Sequence, residues 1–139
     1  MIRILAVGRL RADWARTACE DYARRAGRFA RLEVVEVPDA DPAREARALL
    51  EATGTEPLVT CDRTGDAISS EDLAALLGRH GSISFALGGP EGLDDAVRAR
   101  AARSIAFGRI TLPHELARVV LLEQVYRALS IRAGHPYHR

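Results

Sequence analysis

Five short apolar segments alternate with longer segments of helical pattern, and this alternation constrains the fold more than any other feature. The apolar segments are expected to be β-strands at 2–7, 32–37, 58–61, 83–87 and 105–107. Strands that alternate with helices in this way form a mostly parallel sheet with helices on both faces. The sequence therefore predicts a single α/β domain over residues 1–139, without repeats or linkers.

Several of the intervening segments carry residues typical of helix ends. Asp41 and Pro42 form an N-cap pair for a helix that ends at Gly54. Asp13 is expected to cap the first helix. One face of that helix is expected to point into the core, and it carries Trp14, Ala18, Tyr22 and Ala26. Residues 62–66, which read Asp-Arg-Thr-Gly-Asp, are expected to form a turn.

The last predicted helix, at 114–132, is apolar on nearly every side. One face of such a helix meets the core of its own chain, and the other needs a partner. The sequence therefore predicts a homodimer built on this helix. Gly134 is expected to end it, and the polar and aromatic tail that follows, 135–139, is expected to be held in place.

The net charge of +1 hides an uneven distribution. Residues 1–31 carry eight arginines against three acidic residues, and residues 97–139 carry eight against two. Residues 33–72 carry only three arginines against eleven acidic residues. Two basic ends would make a phosphate-binding surface if they folded together. The alternative is that these charges only solvate helix faces.

Other features exclude whole classes of protein. No segment has the roughly 18 consecutive apolar residues of a membrane span, and residues 1–8 enter a strand without a cleavable signal. Cys19 and Cys61 make no disulfide framework, so we expect a cytoplasmic protein with reduced thiols and no membrane partner. The four histidines lack the spacing of metal ligands, and no metal is expected.

Three loops, which follow Cys61, Leu87 and Phe107, are candidates for ligand binding, because ligands of parallel α/β sheets bind at the carboxyl ends of strands. The loop at 88–92 contains three glycines, which let a ligand approach backbone amides. It matches neither a P-loop nor the dinucleotide fingerprint, and the chain has no lysine. The loop at 108–113 is expected at the same sheet edge, where the two loops could hold a flat group such as adenine. A simple turn at 88–92 is the alternative.

Short motifs in order along the chain carry a more specific signal. They lie at 4–10, 36–38, 88–92, 111–114, 118–120, 123–128 and 135–139. Together they resemble the ribosomal large subunit methyltransferase H family over essentially the whole chain. Two departures are a shorter segment at 39–47 and a cysteine at position 61, where the family more often carries leucine.

The resemblance implies a SPOUT-class methyltransferase that works as a homodimer. It also implies a C-terminal trefoil knot, which general expectation is against. The implied reaction moves a methyl group from S-adenosylmethionine to N3 of a pseudouridine in the large-subunit (23S) ribosomal RNA of the assembled ribosome.

The resemblance also assigns residues. The implied cofactor residues are Cys61, Gly89, Gly108, Arg109, Ile110, Thr111, Leu112 and Pro113. His138 is the candidate base for the N3 proton, since imidazole titrates near working pH. Tyr137 is expected to stack on the flipped base, and Arg139 or Arg118, with Arg9, to hold phosphate. The alternative for the tail is a docking element that shapes the dimer.

Two hypotheses that assign the chain to other classes of protein stay open at this point. One is a non-catalytic RNA-binding module, which the basic ends alone would allow. The other is a nucleotide-binding α/β module, which would bind ATP or NAD. An RNA-binding module would not need the glycine-rich pair of loops at one sheet edge, and the missing lysine and missing dinucleotide fingerprint argue against a nucleotide-binding module.

Overall fold

The computed structural model describes residues 1–139. The strands are β1 (Ile2–Val7), β2 (Leu32–Val37), β3 (Leu58–Ala67), β4 (Ile83–Leu87) and β5 (Arg103–Ala106). The helices are α1 (Asp13–Ala26), α2 (Pro42–Thr53), α3 (Ser70–Arg79), α4 (Asp95–Arg100) and α5 (His114–Ala133). All four strand pairings are parallel, in the order β2-β1-β4-β3-β5. The predicted α/β class is confirmed, and β2 and β5 form the edges.

The core divides into two clusters, one on each face of the sheet. Successive strand residues point to opposite faces, so Ile4 enters one cluster while Leu5 enters the other. The larger cluster contains residues of α1, α3 and α5, and the smaller one contains residues of α2 and α4. Helices therefore cover both faces, as the alternation predicts.

The start of α2 and the end of α5 are as expected. Asp41 accepts a hydrogen bond from the backbone N–H of Arg44 at 3.0 Å, and Pro42 is the first helical residue. Gly134 takes the left-handed conformation, with φ of 71°, and ends α5. These caps can be predicted because each satisfies backbone groups within a few residues of itself.

The prediction for the core face of α1 is confirmed for Ala26, which is buried, and for Tyr22, which packs against the core, but it is wrong for Trp14, which is 57% exposed. The other buried residues of the helix are Ala15 and Cys19. The helix turns its small residues inward, which lets it lie close against α5. Asp13 is also not the N-cap but the first residue of the helix, and its carboxylate pairs with Arg16.

The turn expected at 62–66 lies inside β3, which is longer than predicted. Cys61 and Asp66 both pair with Ile105 of β5, so the intervening residues form a bulge. Gly65 is required there, because a Cβ at this position would lie 2.7 Å from the backbone of Ile105. The bulge carries Asp62 to Thr64 to the rim of the sheet.

The helix α5 is less exposed than its composition suggests. Its buried residues include Leu121, Leu122 and Val125, and α1 and α3 pack along it from the same chain. The large hydrophobic side chains that stay exposed are elsewhere: Trp14, Val34 and Ile110. The broad exposed apolar face that motivated a dimer is therefore not present on α5, and the homodimer remains a prediction. None of the helices is long and apolar enough to cross a bilayer.

Candidate active site

The loops that follow β3, β4 and β5 enclose a cavity of about 910 Å³. This volume lies within the range of pockets that hold ligands of nucleoside size and larger. The cavity is open to solvent and combines apolar residues, such as Leu87 and Phe107, with charged ones. The rule that ligands bind at the carboxyl ends of parallel strands thus selects the loops that line this cavity.

Seven of the eight predicted cofactor residues line this cavity. They are Cys61, Gly89, Gly108, Ile110, Thr111, Leu112 and Pro113. Arg109 is exposed and does not line it. Ile110 is 72% exposed although it is a large apolar residue, which suits a side chain that a ligand or a partner covers.

Six further polar residues line the cavity, and none of them is among the predicted cofactor residues. These residues are Asp62, Arg63, Thr64, Glu91, Arg98 and His114. Asp62 accepts hydrogen bonds from the backbone N–H of Thr64 at 2.8 Å and from Nε of Arg98 at 3.2 Å. Burial would raise the pKa of Asp62, but the bonds from Thr64 and Arg98 outweigh it and hold this pKa below its usual value. An ionised carboxylate therefore faces the cavity at neutral pH.

Cys61 contributes an uncharged surface. Burial raises the pKa of its thiol, and the neighbouring Asp62 raises it further. A thiol in this state is a small apolar group rather than a nucleophile. It can replace the leucine expected at this position, because both present an apolar surface to a ligand.

The glycine-rich loop at 88–92 folds tightly on itself. The backbone N–H of Gly92 donates to the carbonyl of Gly89 at 2.9 Å. A Cβ at Gly88 would lie 2.5 Å from the backbone of Gly92. At Gly89, however, a Cβ would point at Val7, 3.1 Å away, rather than into the cavity. A side chain at position 89 would therefore press on Val7 of β1 and require it to shift, rather than fill the cavity.

The tail lies outside the cavity. The Tyr137 ring packs on the ring of Tyr126, with 4.4 Å between centroids, and its hydroxyl donates to Glu123 at 2.7 Å. Nε2 of His138 lies 2.9 Å from Oε1 of Glu71. Tyr137, His138 and Arg139 are all absent from the cavity lining of their own chain.

Arg118 has a different position from the one expected of a phosphate contact. Its side chain is almost fully buried, with residue exposure of 3%. One guanidinium nitrogen lies 2.6 Å from Glu36, and the other donates to the carbonyl of Gly8 at 2.9 Å. Arg118 therefore ties α5 to the ends of β1 and β2. Arg9 is exposed, next to this junction and away from the cavity.

The two basic ends of the chain meet, because α1 and α5 pack against each other. The basic residues of the two ends can therefore contribute to one surface, as a phosphate-binding surface would require. No group of three or more His, Cys, Asp or Glu side chains is arranged to hold a metal ion.

The chain belongs to the SPOUT methyltransferase family: a family model described as "Predicted SPOUT methyltransferase" matches residues 1–138. It is therefore a methyltransferase, as the motifs predict. The trefoil knot is not established by this match and remains a prediction.

Several relatives share the name ribosomal RNA large subunit methyltransferase H. The one from Deinococcus radiodurans is 40% identical over 143 residues, which cover 99% of this chain and 98% of that protein. The one from Rubrobacter xylanophilus is 48% identical over 153 residues, which cover 97% of this chain and 96% of that protein. A solved structure, of a probable methylase family protein from Haemophilus influenzae, has a TM-score of 0.64 at 11% identity. It covers 99% of this chain and 70% of its own, and it supports the fold alone.

Proposed function

We propose that this methyltransferase transfers the methyl group of S-adenosylmethionine to N3 of a pseudouridine in large-subunit (23S) ribosomal RNA. It acts in the cytoplasm, as a homodimer, on the assembled ribosome. The observation that carries the proposal is the cavity at the ends of β3, β4 and β5, lined by seven of the eight implied cofactor residues. Relatives at 40% to 48% identity that carry the ribosomal RNA methyltransferase name support the substrate class.

The residues of the cavity suit S-adenosylmethionine. Leu112, Cys61 and Phe107 offer apolar surface to an adenine ring, and the amides of the 88–92 loop offer polar contacts. Asp62 offers a negative charge to a cationic ligand. When bound, S-adenosylmethionine would supply an electrophilic methyl group on a positively charged sulfur.

The contribution of the protein is to position the reactants, exclude water and move one proton. Methyl transfer is an in-line displacement, so the geometry of the two reactants matters most. The imide N3 is a nucleophile only after it loses its proton, and His138 is the candidate acceptor. If Nε2 of His138 donates to Glu71, Nδ1 is the nitrogen that would accept the proton, after the Arg127 guanidinium 3.4 Å away gives up its contact with it.

A second copy of the chain would bring the tail and the cavity together. The tail lies on α3 and α5 and does not line the cavity of its own chain. In the proposed homodimer, the tail of one copy completes the cavity of the other. The active site is then shared between two chains.

Mixing two inactive variants tests this shared site. One variant lacks residues 137–139, and the other carries Leu112→Asp in the cavity. Randomly formed heterodimers contain one site with both an intact cavity and an intact tail, so about a quarter of the wild-type activity should return. If no activity returns although heterodimers form, the tail and the cavity belong to the same chain.

Calorimetry and nucleoside mass spectrometry test the reaction itself. The purified protein should bind S-adenosylmethionine and should convert one pseudouridine to its N3-methyl form in ribosomes that lack this modification. His138→Ala should lower kcat about 100-fold, the lower end of the range for a general base, and leave cofactor affinity nearly unchanged. A protein that binds RNA but not the cofactor would be an RNA-binding module, and binding of ATP instead would indicate a nucleotide-binding module.

A further inference from the structure

The motif at 123–128 carries side chains that the cavity does not use. Glu123 is largely buried, and its side chain is 18% exposed. Its Oε2 accepts a hydrogen bond from the Tyr137 hydroxyl at 2.7 Å and from a guanidinium nitrogen of Arg127 at 2.6 Å. Its Oε1 accepts from the Gln124 amide at 2.6 Å. One carboxylate in the middle of α5 therefore holds the aromatic residue of the tail.

A second pair of contacts holds the next residue of the tail. Nε2 of His138 lies 2.9 Å from Glu71 in the first turn of α3, and Nδ1 lies 3.4 Å from Arg127. The Arg127 guanidinium also lies over the Tyr137 ring, 4.9 Å from its centroid. Arg127 thus contacts both tail residues, and Glu71 fixes the orientation of the imidazole.

The protonation states favour this arrangement at neutral pH. Burial would raise the pKa of Glu123, but hydrogen bonds from Arg127 and Tyr137 outweigh it and lower this pKa. Burial and the bond to Glu123 raise the pKa of Tyr137. Glu123 is therefore ionised and Tyr137 protonated, so the hydroxyl donates to a charged acceptor, which makes a strong hydrogen bond.

The contacts are more directional than simple packing of a chain end requires. The ring of Tyr137 already packs on Tyr126, and this contact alone would cover its apolar surface. Two carboxylates and one guanidinium instead fix the hydroxyl of one tail residue and the imidazole of the next. Reactive side chains are commonly held in place by a supporting layer of this kind.

We propose that Glu71, Glu123 and Arg127, here called the tail clamp, are positioning residues for methylation. They hold Tyr137 and His138 in the orientation in which the tail meets the RNA base. The proposal rests on the proposed function, because it assigns the tail a part in that reaction. It adds three residues that act through the tail rather than on the substrate or the cofactor.

Kinetics of a double-mutant cycle test the clamp. Glu123→Ala and Tyr137→Phe should each lower kcat for ribosome methylation about 10-fold, and the affinity for S-adenosylmethionine should stay within about two-fold of wild type. The double variant should be no slower than Glu123→Ala alone, since both changes remove the same bond. Glu51→Ala, a change of an exposed glutamate on α2, is the matched control and should have wild-type kcat.

Glu123→Gln gives a graded comparison. The amide still accepts from the Tyr137 hydroxyl but loses the charge that pairs with Arg127, so kcat should lie between those of wild type and Glu123→Ala. Hydrogen exchange supplies a readout besides activity. The amides of the tail should exchange faster in Glu123→Ala, while those of β1 and β4 stay protected.

The outcomes separate the two proposals. A wild-type protein that binds no S-adenosylmethionine, or methylates no ribosome, overturns the proposed function. An active wild type with an equally active Glu123→Ala overturns the clamp alone. Additive losses in the double variant, or an unchanged exchange rate in the tail, also overturn it.

Discussion

The cavity and the tail of this methyltransferase are built in different ways. Loops at the ends of three parallel strands form the cavity, so their positions follow from the pairing of the sheet. The tail has no strand or helix of its own after Gly134, and side-chain bonds to α3 and α5 hold it. We therefore expect changes in the cavity to alter ligand affinity, and changes in the tail to alter turnover.

Removal of residues 137–139 should give the largest effect and the sharpest separation. Ribosome methylation should fall at least about 100-fold, because the proposed base is lost. Affinity for S-adenosylmethionine, measured by calorimetry, should change less than about three-fold. The loss of the contacts with Tyr126 and Glu123 should reduce the free energy of unfolding by only about 1–2 kcal/mol, measured by urea denaturation. Full turnover in the shortened protein would leave the tail a purely structural element.

Arg118→Ala should affect the stability of the fold rather than the cavity or the tail by itself, because this residue joins α5 to the ends of β1 and β2. The change removes a buried guanidinium from the Gly8 carbonyl, while Glu36, which is 40% exposed, can be hydrated, so the free energy of unfolding should fall by about 2 kcal/mol. Urea denaturation measures this loss, and Arg132→Ala on the exposed end of α5 serves as the control. A fully stable Arg118→Ala protein with weakened RNA binding would instead support the phosphate contact expected from the sequence.

Leu112→Ala should affect the cavity alone. The loss of apolar contact should weaken S-adenosylmethionine binding about 10-fold, which corresponds to about 1.4 kcal/mol. At saturating cofactor, kcat should stay near the wild-type value. Leu50→Ala, at a half-buried position of α2, is the matched control. Unchanged affinity in Leu112→Ala would place the ligand elsewhere in the cavity.

Arg9→Ala should have the smallest effect. The side chain is exposed and forms no ion pair, so its removal should leave stability unchanged. A phosphate contact would raise KM for ribosomes a few-fold and reduce the salt dependence of binding by about one ion. Kinetics at two salt concentrations measure both quantities. An unchanged KM at low salt would remove Arg9 from the RNA-binding surface.

Local patterns predict the sheet and the cavity well. The strand Ile83–Leu87 is a continuous apolar run that is buried on both faces, so its sequence leaves little choice of structure. The side chains of Ser69 and Asp72 each accept a hydrogen bond from the other's backbone N–H, so the start of α3 can be predicted from four consecutive residues. Once the strands are known, the carboxyl-end rule selects the cavity.

Features that depend on residues far apart in the chain could not be predicted from the sequence. Residues 62–66 have the composition of a turn, and only pairing with β5 shows that they form a bulge lined up with the cavity. Trp14 is apolar by type but lies outside, because α1 needs small residues against α5. Arg118 is charged and would be placed on a surface, yet its partner Glu36 is 82 residues away. No pattern of neighbouring residues indicates this strand pairing, this helix contact or this ion pair.

The edge strand β2 influences how copies of this protein can associate. Val34 is exposed there and would favour aggregation through sheet extension, but Glu33 and Glu36 flank it, both on the exposed strand. A second β2 that paired in the same register with this edge would bring Glu33 close to its own copy, and also Glu36, whose charge is partly balanced by Arg118. Such repulsion is typical of strands that resist unwanted pairing. The β2 edge of the five-stranded sheet is therefore a poor surface for a second copy to extend.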